Sequence, residues 1–273
     1  MAEQLLGTLG FLGLGNMGRA ILCGLLERKT VAPRQVVFHD PHDERQREGL
    51  RFGATHKESP AELARASDIL VLAVKPQQMG DVLGQVAPGC HEGLLAISVA
   101  AGISTRFIED RLGPAVHVVR TMPNTPALVS AGATAFALGK GCPASNASIV
   151  RTIFEAVGIV EEVAEDRMDA VTSLSGSGPA YFFYMVECLT AAAVAEGLPR
   201  EQAARLAGQT LFGAGALLTQ SGEEAADLRK RVTSKGGATE AALEQLRELD
   251  LENTVREAVR AAANRSRELG AGE

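Results

Sequence analysis

Three glycines near the amino terminus have the spacing of a turn that binds phosphate groups. Gly13, Gly15 and Gly18 form a G-x-G-x-x-G pattern within residues 8–26, which read TLGFLGLGNMGRAILCGLL. In such a turn the first glycine allows a tight bend, the second lets the backbone approach a pyrophosphate, and the third lets the next helix pack closely. The first N–H groups of that helix then face the phosphates. The pattern predicts a dinucleotide site, with a glycine-rich hairpin as the alternative.

An acidic residue downstream bears on which dinucleotide is bound. An apolar run at 9–12 is predicted as a buried strand, and a second predicted strand at 35–39 ends in Asp40. Asp40 lies about where the acid that binds the ribose hydroxyls of NAD belongs. Its carboxylate would repel a 2′-phosphate by about 1 kcal/mol in water and by several in a shielded cleft. Arg45 and Arg47 carry the opposing charge but are expected to point to solvent, so Asp40 favours NADH.

A second candidate anion site lies at residues 231–239, which read RVTSKGGAT. One predicted helix ends before this loop and another begins near Thr239. The free N–H groups at that helix start, with the hydroxyls of Ser234 and Thr239, would hold a carboxylate. From these residues alone an ordinary capped loop is the simpler interpretation. The two sites together indicate a nicotinamide enzyme that acts on a small acid.

Composition bounds the class of protein. The chain has 273 residues and a formal net charge of −6, which gives no basic surface for nucleic acid or an anionic membrane. No apolar run appears long enough to span a bilayer, so no membrane contact is expected. Glu3 lies where a signal peptide has basic residues, and we expect a cytoplasmic protein. The four cysteines lie far apart without metal-ligand spacing, so free thiols and no metal site are predicted.

The first half of the chain alternates strand and helix patterns. Strands are predicted at 9–12, 35–39, 69–74, 94–99, 117–120, 133–138 and 159–163. This alternation predicts the α/β class, with a Rossmann-type, doubly wound, mostly parallel sheet that helices cover on both faces. Ligands of such sheets bind beyond the carboxyl ends of the strands. Those ends are Gly13, Asp40, Lys75, Ala100 and Met122.

The second half has no strand pattern after about Glu165. We therefore predict a dinucleotide-binding domain at 1–164 and an all-helical dimerisation and substrate domain at 165–273. Helices are predicted at 179–196, 200–218, 223–232, 238–249 and 252–269. The helix at 179–196 is apolar almost all the way round, and such a helix is buried on every side. A second subunit is expected to bury it, with burial against the first domain alone as the alternative.

Five motifs resemble those of the pyrroline-5-carboxylate reductase family, in the family's order and over nearly the whole chain. They are AVKPQ at 73–77, SVAAG at 98–102, MPNTP at 122–126, LSGSGPAY at 174–181 and VTSKGGAT at 232–239. The resemblance implies reduction of 1-pyrroline-5-carboxylate to L-proline, the last step of proline synthesis. It implies NAD(P)H as cofactor, with NADPH used by many members. It also implies a homodimer with interleaved helical domains, often assembled into a decamer.

The resemblance further implies which residues hold the ligands. The pyrophosphate would be held by Gly13, Gly15, Asn16, Met17 and Gly18. The ribose and nicotinamide would be lined by Ala73, Lys75, Pro76, Ala100 and Asn124. The substrate would be bound by Ser234, Gly236, Gly237 and Thr239, with Glu165 as a further candidate. Lys235 stands where many members have proline, which leaves the rigidity of this loop open.

The expected chemistry needs few catalytic side chains. Reduction of a cyclic imine requires a hydride and one proton, and the imine can arrive protonated, so orientation and charge complementarity suffice. Thr239 is the predicted catalytic residue, through positioning of the ring nitrogen or proton relay. One alternative is a 3-hydroxyacid dehydrogenase, but residues 181–184 offer no lysine as its base. The other is a non-catalytic NAD(P)-sensing protein, which would not need the second anion loop.

Overall fold

A single sheet organises the first part of the molecule. The computed structural model describes residues 5 and 7–271, and within them eight strands lie in the order β3-β2-β1-β4-β5-β6-β7-β8. Neighbouring strands are parallel except β6 and β7. The strands are β1 (Leu9–Leu12), β2 (Val36–His39), β3 (Thr55–His56), β4 (Ile69–Leu72), β5 (Leu95–Ser98), β6 (His117–Met122), β7 (Gly132–Leu138) and β8 (Gly158–Glu162). The predicted Rossmann-type, mostly parallel sheet is confirmed.

Strand residues alternate between two hydrophobic clusters, one on each face of the sheet. Leu9 and Phe11 of β1 pack in one cluster with apolar residues of α1 and α6. Leu12 packs in the other, with residues of α3, α4 and α5. The helices are α1 (Asn16–Glu27), α2 (Asp43–Arg51), α3 (Pro60–Arg65), α4 (Met79–Val86), α5 (Thr105–Leu112) and α6 (Asn146–Phe154). Because side chains alternate along a strand, the continuous apolar runs fill both faces.

The predicted strand limits differ from the observed ones by a few residues. β2 begins at Val36, because Pro33–Gln35 forms a 3₁₀ turn. β4 ends at Leu72, two residues earlier than predicted. β6 extends to Met122, two residues further than predicted, because Thr121 and Met122 pair with β7. The short strand β3 was not predicted, since two residues carry no alternation.

The second half is helical, as predicted. A 3₁₀ turn (Glu165–Arg167), α7 (Met168–Val171) and a π turn (Thr172–Gly176) lead into the long helices. Those are α8 (Gly178–Ala195), α9 (Arg200–Ser221), α10 (Ala225–Arg231), α11 (Ala238–Glu248) and α12 (Leu251–Ala271). The chain divides into two compact units, one reaching to Ser177 and including the segment from Ala262, the other Gly178–Ala261. Met168 packs with Ala135 and Ala137 of β7, which places residues before 178 with the sheet.

Helix α8 packs along α9 but leaves most of its apolar side chains exposed in the single chain. Phe182, Phe183 and Tyr184 are each more than half exposed. Only Gly178 and Thr190 of this helix are buried. Exposed apolar patches of this kind mark interaction surfaces. Burial by a second subunit, and the alternative of burial against the first domain alone, both stay predictions.

The same region corrects an expectation about membrane spans. The helical segment Glu165–Ala195 is long and apolar enough, by length and composition, to cross a bilayer. The expectation that no run reaches that length is therefore wrong. Cys23, Cys90, Cys142 and Cys188 are free thiols, as predicted. Glu3, on which the argument against a signal peptide depends, lies outside the described residues.

Candidate active site

The glycine turn joins the end of β1 to the start of α1, and each position favours glycine for a different structural reason. Gly13 has φ +94°, and a Cβ there would lie 2.7 Å from the carbonyl oxygen of Ala73. A Cβ on Gly18 would lie 2.4 Å from the carbonyl oxygen of Gly13, so this glycine lets the helix approach the turn itself. Gly15 caps α1, and no atom lies within 4 Å of a Cβ built on it. Its open side is where a ligand can approach the backbone.

A cavity of about 710 Å³ opens at this turn, beyond the carboxyl ends of β1, β2, β4 and β5. β1 lies between β2 and β4, so this is the point where the strand order reverses. Nine of the residues predicted to bind the cofactor line the cavity: Gly13, Gly15, Asn16, Met17, Asp40, Ala73, Lys75, Pro76 and Ala100. Gly18 and Asn124, also predicted, do not line it. Gln78, which was not predicted, does.

Asp40 is buried, and its carboxylate is held on all sides. Oδ2 accepts from the Leu14 N–H at 2.8 Å and from Arg45 Nη1 at 3.4 Å. Oδ1 accepts from the His42 N–H at 3.0 Å and from His42 Nδ1 at 2.9 Å. Burial alone would raise the pKa of Asp40, but these hydrogen bonds outweigh it and hold the pKa below its ordinary value. An ionised carboxylate has about four acceptor positions, and all are used here.

This arrangement corrects the premise behind the predicted ribose contact. Asp40 braces the glycine turn through Leu14 and holds two cationic or protonatable side chains beside the cavity. Arg45, expected to point to solvent, folds back and lines the cavity together with His42. The signal that sequence reasoning missed is the position of these residues. They lie within six residues of the end of β2, where the first turn of α2 returns to the sheet edge.

Asn124 uses its side chain inside the fold. Its amide nitrogen donates to the Ser175 carbonyl at 3.0 Å, and its Oδ1 accepts from the Ala133 N–H at 2.9 Å. Asn124 thus ties the MPNTP motif to β7 and to the LSGSG motif.

Glu165 belongs to a partly buried polar cluster that sequence reasoning did not find. Its two carboxylate oxygens accept from the Thr105 N–H at 2.7 Å and the Thr105 hydroxyl at 2.6 Å. Arg120, whose side chain is 9% exposed, lies 3.7 Å from Glu165 and 3.9 Å from Asp169. The Ser266 hydroxyl donates to Asp169 at 2.6 Å. A buried cation must be paired, and an arginine inside the apolar run of β6 was the available signal.

The second anion loop lies in the helical unit, between α10 and α11. Gly237 caps α11 with extended backbone, and Gly236 has φ +72°. The Gly236 N–H donates to Glu240 Oε2 at 2.7 Å, so one loop donor already holds a carboxylate of the chain. Ser234 and Thr239 are both exposed, as is Lys235. Ser234 lies in the loop before α11 and Thr239 in the first turn of that helix. Their role in binding a substrate carboxylate stays a prediction.

A sheet of this order, a glycine turn at its switch point and a following helical unit define a two-domain dinucleotide-dependent oxidoreductase. Residues 165–269 match the family model described as pyrroline-5-carboxylate reductase dimerisation. Residues 8–102 match the model described as NADP oxidoreductase, coenzyme F420-dependent. The chain belongs to the pyrroline-5-carboxylate reductase family, because it also matches curated members over nearly its full length.

Three relatives illustrate the match. Pyrroline-5-carboxylate reductase of Synechocystis is 43% identical over 96% of this chain and 98% of that protein. The structure of a pyrroline-5-carboxylate reductase from Coxiella burnetii is similar with a TM-score of 0.91 and 35% identity, over 96% of this chain and 98% of that one. Plasmodium falciparum pyrroline carboxylate reductase, solved with NADP bound, has a TM-score of 0.86 and 32% identity, over 98% and 99%.

Proposed function

We propose that the chain reduces 1-pyrroline-5-carboxylate to L-proline with NAD(P)H. The observation that supports this substrate is the full-length match to pyrroline-5-carboxylate reductases at up to 43% identity among the relatives described. The cavity at the switch point supports the cofactor, since nine residues predicted for it lie there together. In the reaction the imine carbon gains a hydride and the ring nitrogen carries one added proton, while NAD(P)H becomes NAD(P)⁺.

The residues of the cavity fit a dinucleotide. Bound nicotinamide would supply the hydride. The open face of Gly15 and the N terminus of α1 would hold the pyrophosphate, because backbone N–H groups and the helix dipole both favour an anion there. Asn16 and Met17 begin α1 and line the cavity. The ribose and nicotinamide would lie beyond the ends of β4 and β5, against Ala73, Lys75, Pro76 and Ala100. Asn124, which was also predicted to line them, would act indirectly, because its side chain holds neighbouring segments in place.

We assign the substrate to the loop before α11. Because Glu240 already occupies the Gly236 N–H, the remaining first-turn N–H groups and the hydroxyl of Ser234 are the donors for the substrate carboxylate. Gly236 and Gly237 give the loop its shape. Thr239 would orient the ring nitrogen or relay its proton, and positioning is the larger role because an alcohol is a weak acid. Glu165 acts, in this proposal, by holding the N terminus of α5 at Thr105.

The helical unit supports assembly as a homo-oligomer. The exposed apolar side chains of α8 and α9 require a covering surface, and residues 165–269 match a dimerisation model. We therefore assign the exposed apolar face of α8 to a subunit interface. Assembly into a decamer and a cytoplasmic location are predictions that follow from the family resemblance and the free thiols. Met185→Lys, which places a charge on this surface, should lower the oligomer mass by light scattering; an unchanged mass would contradict the assignment.

A direct absorbance assay tests the activity. Oxidation of NADPH or NADH should depend on added 1-pyrroline-5-carboxylate. Reduction of NADP⁺ or NAD⁺ should not occur when a 3-hydroxyacid is added instead. Turnover with a 3-hydroxyacid would favour the dehydrogenase alternative. Cofactor binding without any turnover would favour the sensing alternative.

A further inference from the structure

The rim of the cavity beside α2 has a charge pattern that bears on the choice between the two cofactors. His39, His42, Arg45 and Lys75 line the cavity, and Asp40 is the one acid among the described residues that line it. Asp40 is 0% exposed, whereas the side chains of His42 and Arg45 are 63% and 42% exposed. A ligand entering this end therefore meets the side chains of His42 and Arg45 before the carboxylate.

The hydrogen bonds of Asp40 leave it no acceptor for a ribose. An NADH ribose presents two hydroxyl donors, and binding them to Asp40 would require Arg45 or His42 to leave the carboxylate. The released cation or ring would then lose a charge-assisted bond, which is the stronger class of hydrogen bond. A 2′-phosphate presents acceptors instead, and it needs no change at Asp40. The existing geometry thus matches a phosphorylated ribose better than a bare one.

Arg45 has donors left for such a phosphate, and His42 has one in its imidazolium form. The carboxylate only accepts, so His42 donates to it from Nδ1. Its Nε2 donates to a ligand when both ring nitrogens carry hydrogen. Arg45 uses one of its five donors on Asp40, through Nη1. The guanidinium fork binds phosphate oxygens in pairs, which a lysine cannot do. Because Asp40 already holds both side chains in place, they lose less conformational entropy when a ligand binds them.

We propose that His42 and Arg45, braced by Asp40, form the site that binds the 2′-phosphate, and that the chain therefore prefers NADPH. This proposal rests on the proposed function, because it places a dinucleotide in the cavity. It reverses the preference for NADH that the position of Asp40 alone indicates. The like-charge repulsion expected between Asp40 and the phosphate is offset because Arg45 carries the opposite charge and the other donors stabilise the carboxylate before any ligand arrives.

The test is calorimetric titration with two fragments, 2′-phospho-ADP-ribose and ADP-ribose, at about 0.15 M salt, where the Debye length is about 8 Å. The wild-type chain should bind the phosphorylated fragment about 10-fold more tightly or better. Arg45→Ala should weaken that fragment by about 10- to 100-fold and leave ADP-ribose within about 3-fold. Arg47→Ala is the matched control, because Arg47 is exposed on the same helix and does not line the cavity. It should change neither affinity by more than about 3-fold.

Asp40→Asn separates the two roles of the acid by the sign of its effect. If Asp40 braces His42 and Arg45, the substitution weakens 2′-phospho-ADP-ribose binding by about 3- to 10-fold. If Asp40 instead repels the phosphate, the substitution strengthens it. Equal affinity of the wild type for both fragments, or an equal loss of both in Arg45→Ala, overturns the proposal while the dinucleotide site stands. Failure of the wild type to bind either fragment overturns the proposed function as well.

Discussion

Replacing Gly15 by alanine should weaken cofactor binding without unfolding the protein. Gly15 has φ −66°, which alanine adopts readily, and a Cβ there meets no atom within 4 Å. The weaker cap of an alanine and the lower entropy of its unfolded chain each amount to about 0.5–1 kcal/mol and oppose one another, so stability should change by less than about 1 kcal/mol. The methyl group would nevertheless stand where the pyrophosphate approaches the backbone. Each charge-assisted hydrogen bond lost there is worth about 1.5–3 kcal/mol, or roughly 10- to 150-fold in affinity.

Gly18→Ala is the contrasting variant. Its Cβ would lie 2.4 Å from the Gly13 carbonyl oxygen and 3.2 Å from the Ala73 Cβ, so backbone must shift even without a ligand. Overpacking of this kind costs about 1–3 kcal/mol. Thermal unfolding of the cofactor-free protein and calorimetric titration with NADPH would measure both effects. The reasoning fails if Gly15→Ala lowers the melting temperature as much as Gly18→Ala, or if Gly15→Ala binds NADPH as tightly as the wild type.

Three further outcomes are expected. Thr239→Ala should lower kcat/KM for the imine by about 10- to 1,000-fold and leave the Kd of NADPH within about 2-fold; unchanged kinetics would remove Thr239 from the site. Arg120→Ala should cost about 1–3 kcal/mol in urea unfolding, because it removes a buried side chain and takes the cation away from two partly buried carboxylates. The exposed Arg106→Ala should cost under about 1 kcal/mol. The pKa of Asp40 is lower in the folded protein than in the unfolded chain, so its contribution to folding stability is present above the unfolded pKa of about 3.9 and is lost as pH falls through the folded pKa. Over that acid range the free energy of unfolding should therefore decline less in Asp40→Asn than in the wild type.

Most elements of the fold could be predicted from local sequence patterns. The apolar run at Ile69–Leu72 and the cap of α3, where the Ser59 hydroxyl accepts from the Glu62 N–H, both depend on neighbouring residues only. Sequence reading therefore located these elements to within a few residues. The antiparallel step between β6 and β7 was less accessible, since pairing direction depends on how a distant strand returns. The two-residue strand β3 exists only because β2 is beside it.

The candidate site was likewise predicted only in part from the sequence. Gly13, Gly15 and Gly18 were found because the turn's geometry depends on a short spacing. The role of Asp40 was assigned from spacing too, but its partners are set by tertiary packing: Leu14 comes from the glycine turn after β1, and Arg45 from α2. Arg120 was missed because its carboxylate partners lie more than forty residues further along the chain. The spacing in the sequence locates the carboxylate of Asp40, but it does not predict which hydrogen-bond donors contact that carboxylate in the folded protein.

The most direct measurement of the central claim follows the hydride itself. The chain would be incubated with 1-pyrroline-5-carboxylate and nicotinamide cofactor that carries deuterium at the transferable C4 position. The account predicts L-proline with one deuterium on the ring carbon that was the imine carbon, and oxidised cofactor in equal amount. Proline without the label, or cofactor oxidation without proline, would contradict hydride transfer to this imine.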